Sequence, residues 1–430
     1  MIDLSDLDFI IVGGGISGLT IAALLANKGK KVLVLEKEKR VGGRSKLWKK
    51  NGFEVDYGIH LSRGAASSVF KKLGLKLRRK KHDLSGGFII VDKKTPYNIL
   101  KHARFLIKNK VIKFSELNKS IRFLIAIMLK KYTKFFGLSV GKWLNKVNAT
   151  KNMKNLFQLV TSILLICPYL DRISLGELVH VIKTMNIRGL ARGTFKEILS
   201  GLIITIKKNK GEINCLAKVD KILIDEIQKK VIGVSVNNKN LNANYIIIAT
   251  TPEQITKLID DKFINASFLN KITNIKPTAG ISIDYGLKKI ITNNMGFFSR
   301  MPPIMGFFEN EIGVPQGKQL LSYYLILNSE AFEDKNLIKQ KTDLMERFVK
   351  KLYPNLEENI EWRRVLNLRR IDGVELNIHQ TINKRINNIF PNVKNLFLVG
   401  DYTNAPGTGG DIGFNSALKC YKKLNKFKFL

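Results

Sequence analysis

The 430-residue sequence predicts an α/β fold with a second, α+β domain and a helical, basic lobe. Three observations lead to it. A short apolar run, a glycine turn, a helical stretch and a second apolar run follow one another from Phe9 to Leu35. Continuous apolar strands, of the kind a buried parallel sheet requires, return at Tyr245 to Ala249 and at Leu396 to Asp401. Between these segments the pattern changes, first to a basic and apolar region of helical length and then to strands.

The N-terminal element is the most informative. Phe9 to Val12 leads into Gly13, Gly15 and Gly18; a helical stretch from Leu19 to Asn27 stops at Gly29; Val32 to Leu35 follows and ends on Glu36. Each part has a physical reason in a dinucleotide site. Gly13 permits the tight turn, Gly15 lets the backbone approach a pyrophosphate, and Gly18 lets the helix pack closely on the strand, with the phosphates at the helix N-terminus. Glu36 stands close to the expected interval of about 20 residues, where a carboxylate accepts hydrogen bonds from a ribose. Just beyond, Gly42 and Gly43 offer another close backbone approach, and Arg44 supplies a fork of donors suited to phosphate oxygens.

Composition sets the bounds. A hydrophobic content of 45% with 25% charged residues is that of a folded protein and excludes disorder. The length allows two domains in a discontinuous layout. A net charge of +38, from 73 basic and 35 acidic residues, points to an anionic partner, lipid or nucleic acid, and a lysine-rich composition explains it equally. Cys167, Cys215 and Cys420 have no metal or redox spacing, so no metal site is expected and the thiols suit a reducing compartment. The acidic start MIDLSDLDF runs straight into the first strand, and no cleavable secretory signal is expected. The apolar stretch from Leu156 to Cys167 falls short of the roughly 18 residues that span a bilayer.

In chain order, Gly52 to His60 reads as an alternating strand, Ser67 to Leu75 as a short helix ended by Gly74, and Gly87 to Val91 as the strand that opens the second domain. From Lys93 to Lys154, sixteen Lys or Arg stand against a single acid, Glu116. Within that region Leu117 to Phe136 reads as a helix, either a basic amphipathic element in a membrane interface or a core helix with snorkelling lysines. Ser139 and Ser174 read as helix caps, and the apolar stretch between them closes around Pro168, which makes a mostly helical lobe.

Gly193 to Ile206 reads as a helix, followed by strands at Glu212 to Cys215, Ala217 to Ile224 and Val231 to Val236 with a turn near Gln228. Thr278 to Tyr285 and Gln319 to Leu327 read as strands of the second domain. Met-Gly-Phe-Phe occurs at Met295 to Phe298 and again at Met305 to Phe308, where sulfur and aromatic faces suit a long apolar ligand or ordinary core packing alike. The segment LFLVGD, ending on Asp401, is followed by PGTGGDIGFNSAL, a glycine-rich approach to the last helix.

These three glycine motifs together resemble the FAD-dependent family that joins flavin amine oxidases, protoporphyrinogen oxidases and phytoene desaturases. The resemblance implies a Rossmann-like FAD-binding domain of the glutathione-reductase type, discontinuous over residues 1–62, 186–255 and 386–430. The substrate domain then covers 63–185 and 256–385, including the helical basic lobe at 93–184. Noncovalent FAD is implied, because no cysteine stands shortly before the terminal glycine motif. Cofactor contacts fall on Gly13, Gly15, Ile16, Ser17, Gly18, Glu36, Lys37, Gly42, Gly43, Arg44, the backbone of Val219, Gly400, Asp401, Gly410, Asp411 and Ile412. In the family the acid matching Asp401 bonds the ribityl chain, and the last helix points its N-terminus at the isoalloxazine pyrimidine edge, where it stabilises negative charge. No catalytic side chain is assigned, since the cofactor carries the chemistry. His60, Met305, Phe307 and Phe308 are the substrate-side candidates, with a structural role as the competing reading of His60.

Within the family, IMGFFENEIGVPQGKQLL is most similar to the desaturase and isomerase branch that acts on polyprenoids. Amine oxidases carry a lysine in a substrate-domain strand; Thr278 to Tyr285 has none, and Lys276 lies just outside it. The expectation is an FAD-dependent oxidoreductase that acts on an apolar isoprenoid- or carotenoid-like small molecule, by hydride abstraction or double-bond isomerisation. It would be cytoplasmic and peripheral on the inner face of an anionic membrane. Oxidation of an amine or a porphyrinogen on the same scaffold is one alternative. An FAD-containing nucleic-acid-binding protein is another, which the apolar character of the basic segment disfavours.

Overall fold

The computed structural model describes residues 7–57, 61–62, 64–77, 88–91, 96–98, 115, 118, 125, 132–184, 191–192, 195–299 and 302–426. A five-stranded parallel sheet runs in the order Leu396–Leu398, Tyr245–Ile248, Phe9–Val12, Val32–Leu35 and Glu212–Asn214. Every residue of Phe9–Val12 and Val32–Leu35 is buried, because both faces of the sheet are covered. Alternate side chains go to opposite layers. Phe9, Ile11, Val32, Val34 and Ile247 pack on the helices Ile16–Ala26, Phe195–Lys208 and Gly410–Lys426. Ile10, Val12, Leu33, Leu35 and Ile246 meet a three-stranded antiparallel sheet made of Val219–Asp225, Lys230–Val236 and Lys239–Asn242.

The chain leaves this layer and returns to it, building a seven-stranded sheet on the way. Its order is Ile360–Leu368, Ala279–Leu287, Gln319–Leu327, Ile304–Glu309, Gly296–Ser299, Phe88–Val91 and Pro96–Asn98. All neighbours are antiparallel except Gly296–Ser299 with Phe88–Val91. One face, with Ile281, Ile283, Tyr285, Leu321 and Tyr323, packs on Ile338, Met345 and Val349 of the helix Lys335–Leu352. The other presents Phe298, Met305, Phe307, Tyr324 and Ile326 to a lobe of three helices, Val140–Lys146, Lys151–Leu165 and Leu175–Thr184.

The two serines predicted as caps serve that purpose. Ser139 Oγ accepts from the Lys142 amide at 3.2 Å and Ser174 Oγ from the Glu177 amide at 3.3 Å. Most of the predicted Leu117 to Phe136 helix lies outside the described residues, and its end, Tyr132–Phe135, is a 3₁₀ turn. The strand predicted for Gly52 to His60 is shorter, Phe53–Asp56 hairpinned with Leu47–Lys50, and His60 lies outside the described residues. Among the described residues no helix is long and apolar enough to cross a membrane, and no group of His, Cys, Asp and Glu could hold a metal ion.

Candidate functional site

The glycine motifs meet at the C-terminal ends of the parallel strands. A Cβ on Gly18 would stand 2.0 Å from the Gly13 carbonyl oxygen, so only glycine lets the first helix sit this close to its strand. Gly15 and Gly42 form a parallel bridge, with the Gly42 amide donating to the Gly14 carbonyl at 2.8 Å. A Cβ on Gly413, in the last helix, would lie 2.7 Å from Ser17 Oγ. Segments far apart in sequence thus approach closely because Gly42 and Gly413 carry no side chain.

The same turn offers a place for phosphates. Gly15 caps the Ile16–Ala26 helix without any side-chain hydrogen bond, and the first turn contains no acid. Nothing lies within 4 Å of where a Gly15 Cβ would stand. Uncapped amides facing open space beside a side-chain-free backbone form an anion cradle.

Glu36 is buried and already employed by the protein. Its Oε2 accepts from the Gly14 amide at 2.8 Å and its Oε1 from the Glu38 amide at 3.0 Å, and each oxygen keeps a lone pair for a ribose hydroxyl. The Glu36 carbonyl accepts from the Ala217 amide at 2.9 Å, which brings the strand that begins at Val219 alongside. The Val219 side chain is buried among apolar neighbours, and Lys37 is exposed.

At the other end of the site stands Asp401, in the turn after Leu396–Leu398. Its Oδ2 accepts from the Gly373 amide at 2.6 Å and pairs with Arg44 Nη2 at 2.8 Å, while the described residues give Oδ1 no hydrogen bond. Burial opposes its charge, yet the Arg44 cation and these hydrogen bonds hold the carboxyl below the usual aspartate range. The Arg44 side chain is 43% accessible and that of Asp401 11%, so the pair is open to solvent on the arginine side. The segment Ile371 to Gly373 had not been singled out as part of the site. The Asp-Gly step after the Ile360–Leu368 strand marks a turn, and nothing local tells that the turn lies against Asp401.

The glycine loop before the last helix is braced by the helical lobe. Thr408 Oγ1 donates to the Leu164 carbonyl at 3.1 Å, and Arg385, paired with the buried Glu177 at 2.7 Å, donates to the Ala405 carbonyl at 3.2 Å. Gly410 is exposed and opens the Gly410–Lys426 helix, whose first turn holds Asp411; Ile412 is buried, as is Gly400. Ile412 and Ala405 belong to the same apolar cluster as Phe298, Met305, Phe307, Tyr324, Val374 and Leu376. An apolar sheet face therefore abuts the start of the last helix. Phe308 does not belong to that face: strand alternation sends it to the opposite side, where its ring meets Tyr353 at 5.1 Å. Lys276 is exposed and paired with Glu330 at 3.0 Å, and none of the seven described strands of this sheet carries a lysine.

Comparisons agree with this geometry. Residues 11–73 match the NAD(P)-binding Rossmann-like domain family. An all-trans-retinol 13,14-reductase of Danio rerio is 60% identical over 55 residues, which are 13% of this chain and 9% of that protein. A 4,4'-diapophytoene desaturase of Staphylococcus haemolyticus is 50% identical over 66 residues, 15% of this chain and 13% of that one. The matched segments thus span only a small part of these relatives' length. Solved structures match nearly end to end in fold. An oxidoreductase from Methanosarcina mazei has a TM-score of 0.79 at 16% identity over 97% of this chain and all of its own. Cyclohexylamine oxidase from Brevibacterium oxydans has 0.70 at 14% identity, over 98% and 100%. The bare cradle, Glu36 and the open Oδ1 of Asp401 fit the pyrophosphate, adenosine ribose and ribityl hydroxyls of FAD.

Proposed function

We propose that this chain, a member of the FAD-dependent amine oxidase and phytoene desaturase superfamily, is an oxidoreductase that removes hydrogen from, or moves double bonds in, an apolar isoprenoid-like molecule. The observation that carries this reading is the apolar sheet face formed by Phe298, Met305, Phe307, Tyr324 and Ile326, continuous with Ile412 at the start of the last helix. FAD, when bound, supplies the redox chemistry. The chain's own residues bind, orient and exclude water: the glycine cradle and Glu36 take one end of the cofactor, Asp401 the middle, and the apolar cluster keeps the reacting end dry. The cofactor would be held without a covalent bond: Cys420, in the last helix, is buried, and burial pushes its thiol up to about 12.

A strand lysine is what the amine-oxidase alternative calls for, and the lysine-free strands favour the desaturase branch. The FAD-binding part would comprise residues 1–62, 186–255 and 386–430, and the remainder the substrate part. Anaerobic mixing of the yellow holoprotein with a long polyene or its saturated precursor should bleach the flavin. Bleaching by simple amines alone would move the assignment to amine oxidation.

The substrate's apolar character supports collection from a lipid surface, and the exposed Lys134, Lys142, Lys146 and Lys151 of the helical lobe would add attraction to an anionic one. Binding to anionic liposomes should exceed binding to neutral ones and weaken in high salt. Equal partition to both, or preference for nucleic acid at matched salt, would end this part of the reading.

A further inference from the structure

The geometry points to Arg44 as a positioning residue that pins Asp401 to the crossing between the two sheets and holds the cofactor through that carboxylate. The sequence offers Arg44 as a phosphate ligand; in the structure two of its five N–H donors are taken by the protein. Nη2 lies 2.8 Å from Asp401 Oδ2, and Nη1 donates to the Ile371 carbonyl at 2.9 Å, across 327 residues of sequence. One planar guanidinium thus ties the glycine loop at Gly43–Ser45, the exit from the seven-stranded sheet and the end of the last parallel strand.

The crossing is fixed from its other side as well. The Ile371 amide donates to the Thr278 carbonyl at 2.7 Å, and the Asp372 amide to Thr278 Oγ1 at 2.9 Å. Gly373 then presses against Asp401 so closely that a Cβ would stand 2.1 Å from Oδ1. With Oδ2 taken by the Gly373 amide and Arg44, Oδ1 is the atom left to accept a ribityl hydroxyl. A lysine at position 44 would bring a point charge without the fork and could not reproduce both contacts.

The pin belongs to the polypeptide, and only its effect on the cofactor rests on the proposed FAD chemistry. The experiment compares wild type with Arg44→Ala, Arg44→Lys, Asp401→Asn and the Arg44→Ala/Asp401→Asn double variant, reading the denaturation midpoint of each apoprotein and its dissociation constant for FAD. Each single variant should lower the apoprotein midpoint, and the double variant should fall no further than the worse single one, because both remove the same contact. Arg44→Lys should recover only part of the loss. The FAD dissociation constant should rise roughly tenfold or more in Arg44→Ala, the loss expected for a charged hydrogen-bond partner. It should rise no further in the double variant than in Asp401→Asn.

An Arg44→Ala apoprotein as stable as wild type, with weaker FAD binding, would make Arg44 an ordinary cofactor ligand and overturn the proposal; additive losses in the cycle would do the same. Should Arg44→Ala fail to accumulate, Arg44→Gln gives the same cycle. An apoprotein that shows the coupling yet takes up no flavin would leave the pin standing and remove the FAD reading.

Discussion

The central strands of the parallel sheet and of the seven-stranded sheet are both buried, but they are written differently. Phe9–Val12 and Val32–Leu35 are unbroken apolar runs, each residue packed into one of two dry layers. Ala279–Leu287 is buried at all nine positions and still includes Ser282 and Asp284. Asp284 is tolerated because Arg364, on the neighbouring strand and directly opposite in register, pairs with it at 2.7 Å. Arg364 also donates to the Asp56 carbonyl and lies over the Trp48 ring, so the pair fastens the N-terminal hairpin to this sheet. In the first sheet burial alone explains the residues, whereas in the second a polar pair is explained only by what crosses over it. Burial alone explains the apolar strands of the first sheet, and a contact from a distant segment explains the polar pair in the second.

The largest effect expected from this contrast comes from one glycine at each sheet, Gly18 in the helix packed on the first and Gly306 in a strand of the second. A side chain at Gly18 meets a backbone carbonyl that cannot move without breaking the turn, while one at Gly306 would stand 2.2 Å from the Phe297 ring, a side chain that can shift. Gly18→Val should yield no folded protein, since the clash exceeds the roughly 1–3 kcal/mol of ordinary overpacking. Gly306→Val should fold, with a loss within that range. Comparable soluble yields and melting temperatures for the two would erase the distinction.

Next in size is Glu36→Ala. Because the carboxylate accepts two backbone amides and is placed to take a ribose, its removal should lower both apoprotein stability and FAD affinity, each by about 1–3 kcal/mol. Denaturant melts and fluorescence titration separate the two. An apoprotein of unchanged stability would show that the turn does not depend on this side chain.

A smaller effect should distinguish two adjacent phenylalanines. Phe307 lies on the face that abuts the last helix and Phe308 on the opposite one. Phe307→Leu and Phe308→Leu should each cost on the order of 1 kcal/mol of stability. Only Phe307→Leu should change the substrate concentration needed for half-maximal flavin reduction, with the flavin spectrum intact. A change in both, or in Phe308→Leu alone, would place the substrate elsewhere.

The same contrast marks what could be read from the residues alone. Gly13, Gly15, Gly18 and Glu36 act within one turn and its neighbours, so their spacing carries their geometry. The Leu396 to Asp401 segment was recognisable for the same reason, although the strand closes at Leu398 and Asp401 falls in the following turn. The partners of Asp401 were not, because Gly373 and Arg44 reach it from distant parts of the chain. Phe308 was grouped with Met305 and Phe307 by composition, which ignores the two-residue period of a strand. The helix Lys335–Leu352 was passed over, although Leu337, Ile338, Leu344, Met345, Phe348, Val349 and Leu352 recur at helical spacing and Asp334 caps its start.

The smallest effect expected is a difference in how the two regions respond to acid. In the helical lobe His180 is buried against the Tyr132 ring, with no hydrogen bond to either ring nitrogen among the described residues, and burial holds its pKa below the ordinary histidine value. In the cofactor region Asp401 is held below the ordinary aspartate value. Both groups bind protons more readily in the unfolded chain, so each contributes stability that is complete above its unfolded pKa and is lost as pH falls toward its folded one. The windows differ. Loss from His180 begins as pH drops below ~6.5, and loss from Asp401 only below ~3.9. Apoprotein melts from pH 8 to 3 should therefore show a shallow decline starting near neutrality that His180→Asn removes. Asp401→Asn should leave that decline in place and flatten only the acid end, since the asparagine has no charge to lose. If His180→Asn leaves the decline between about pH 6.5 and 5 untouched, then the lobe's histidine is not held neutral by its surroundings, and the acid response belongs to the carboxylates alone.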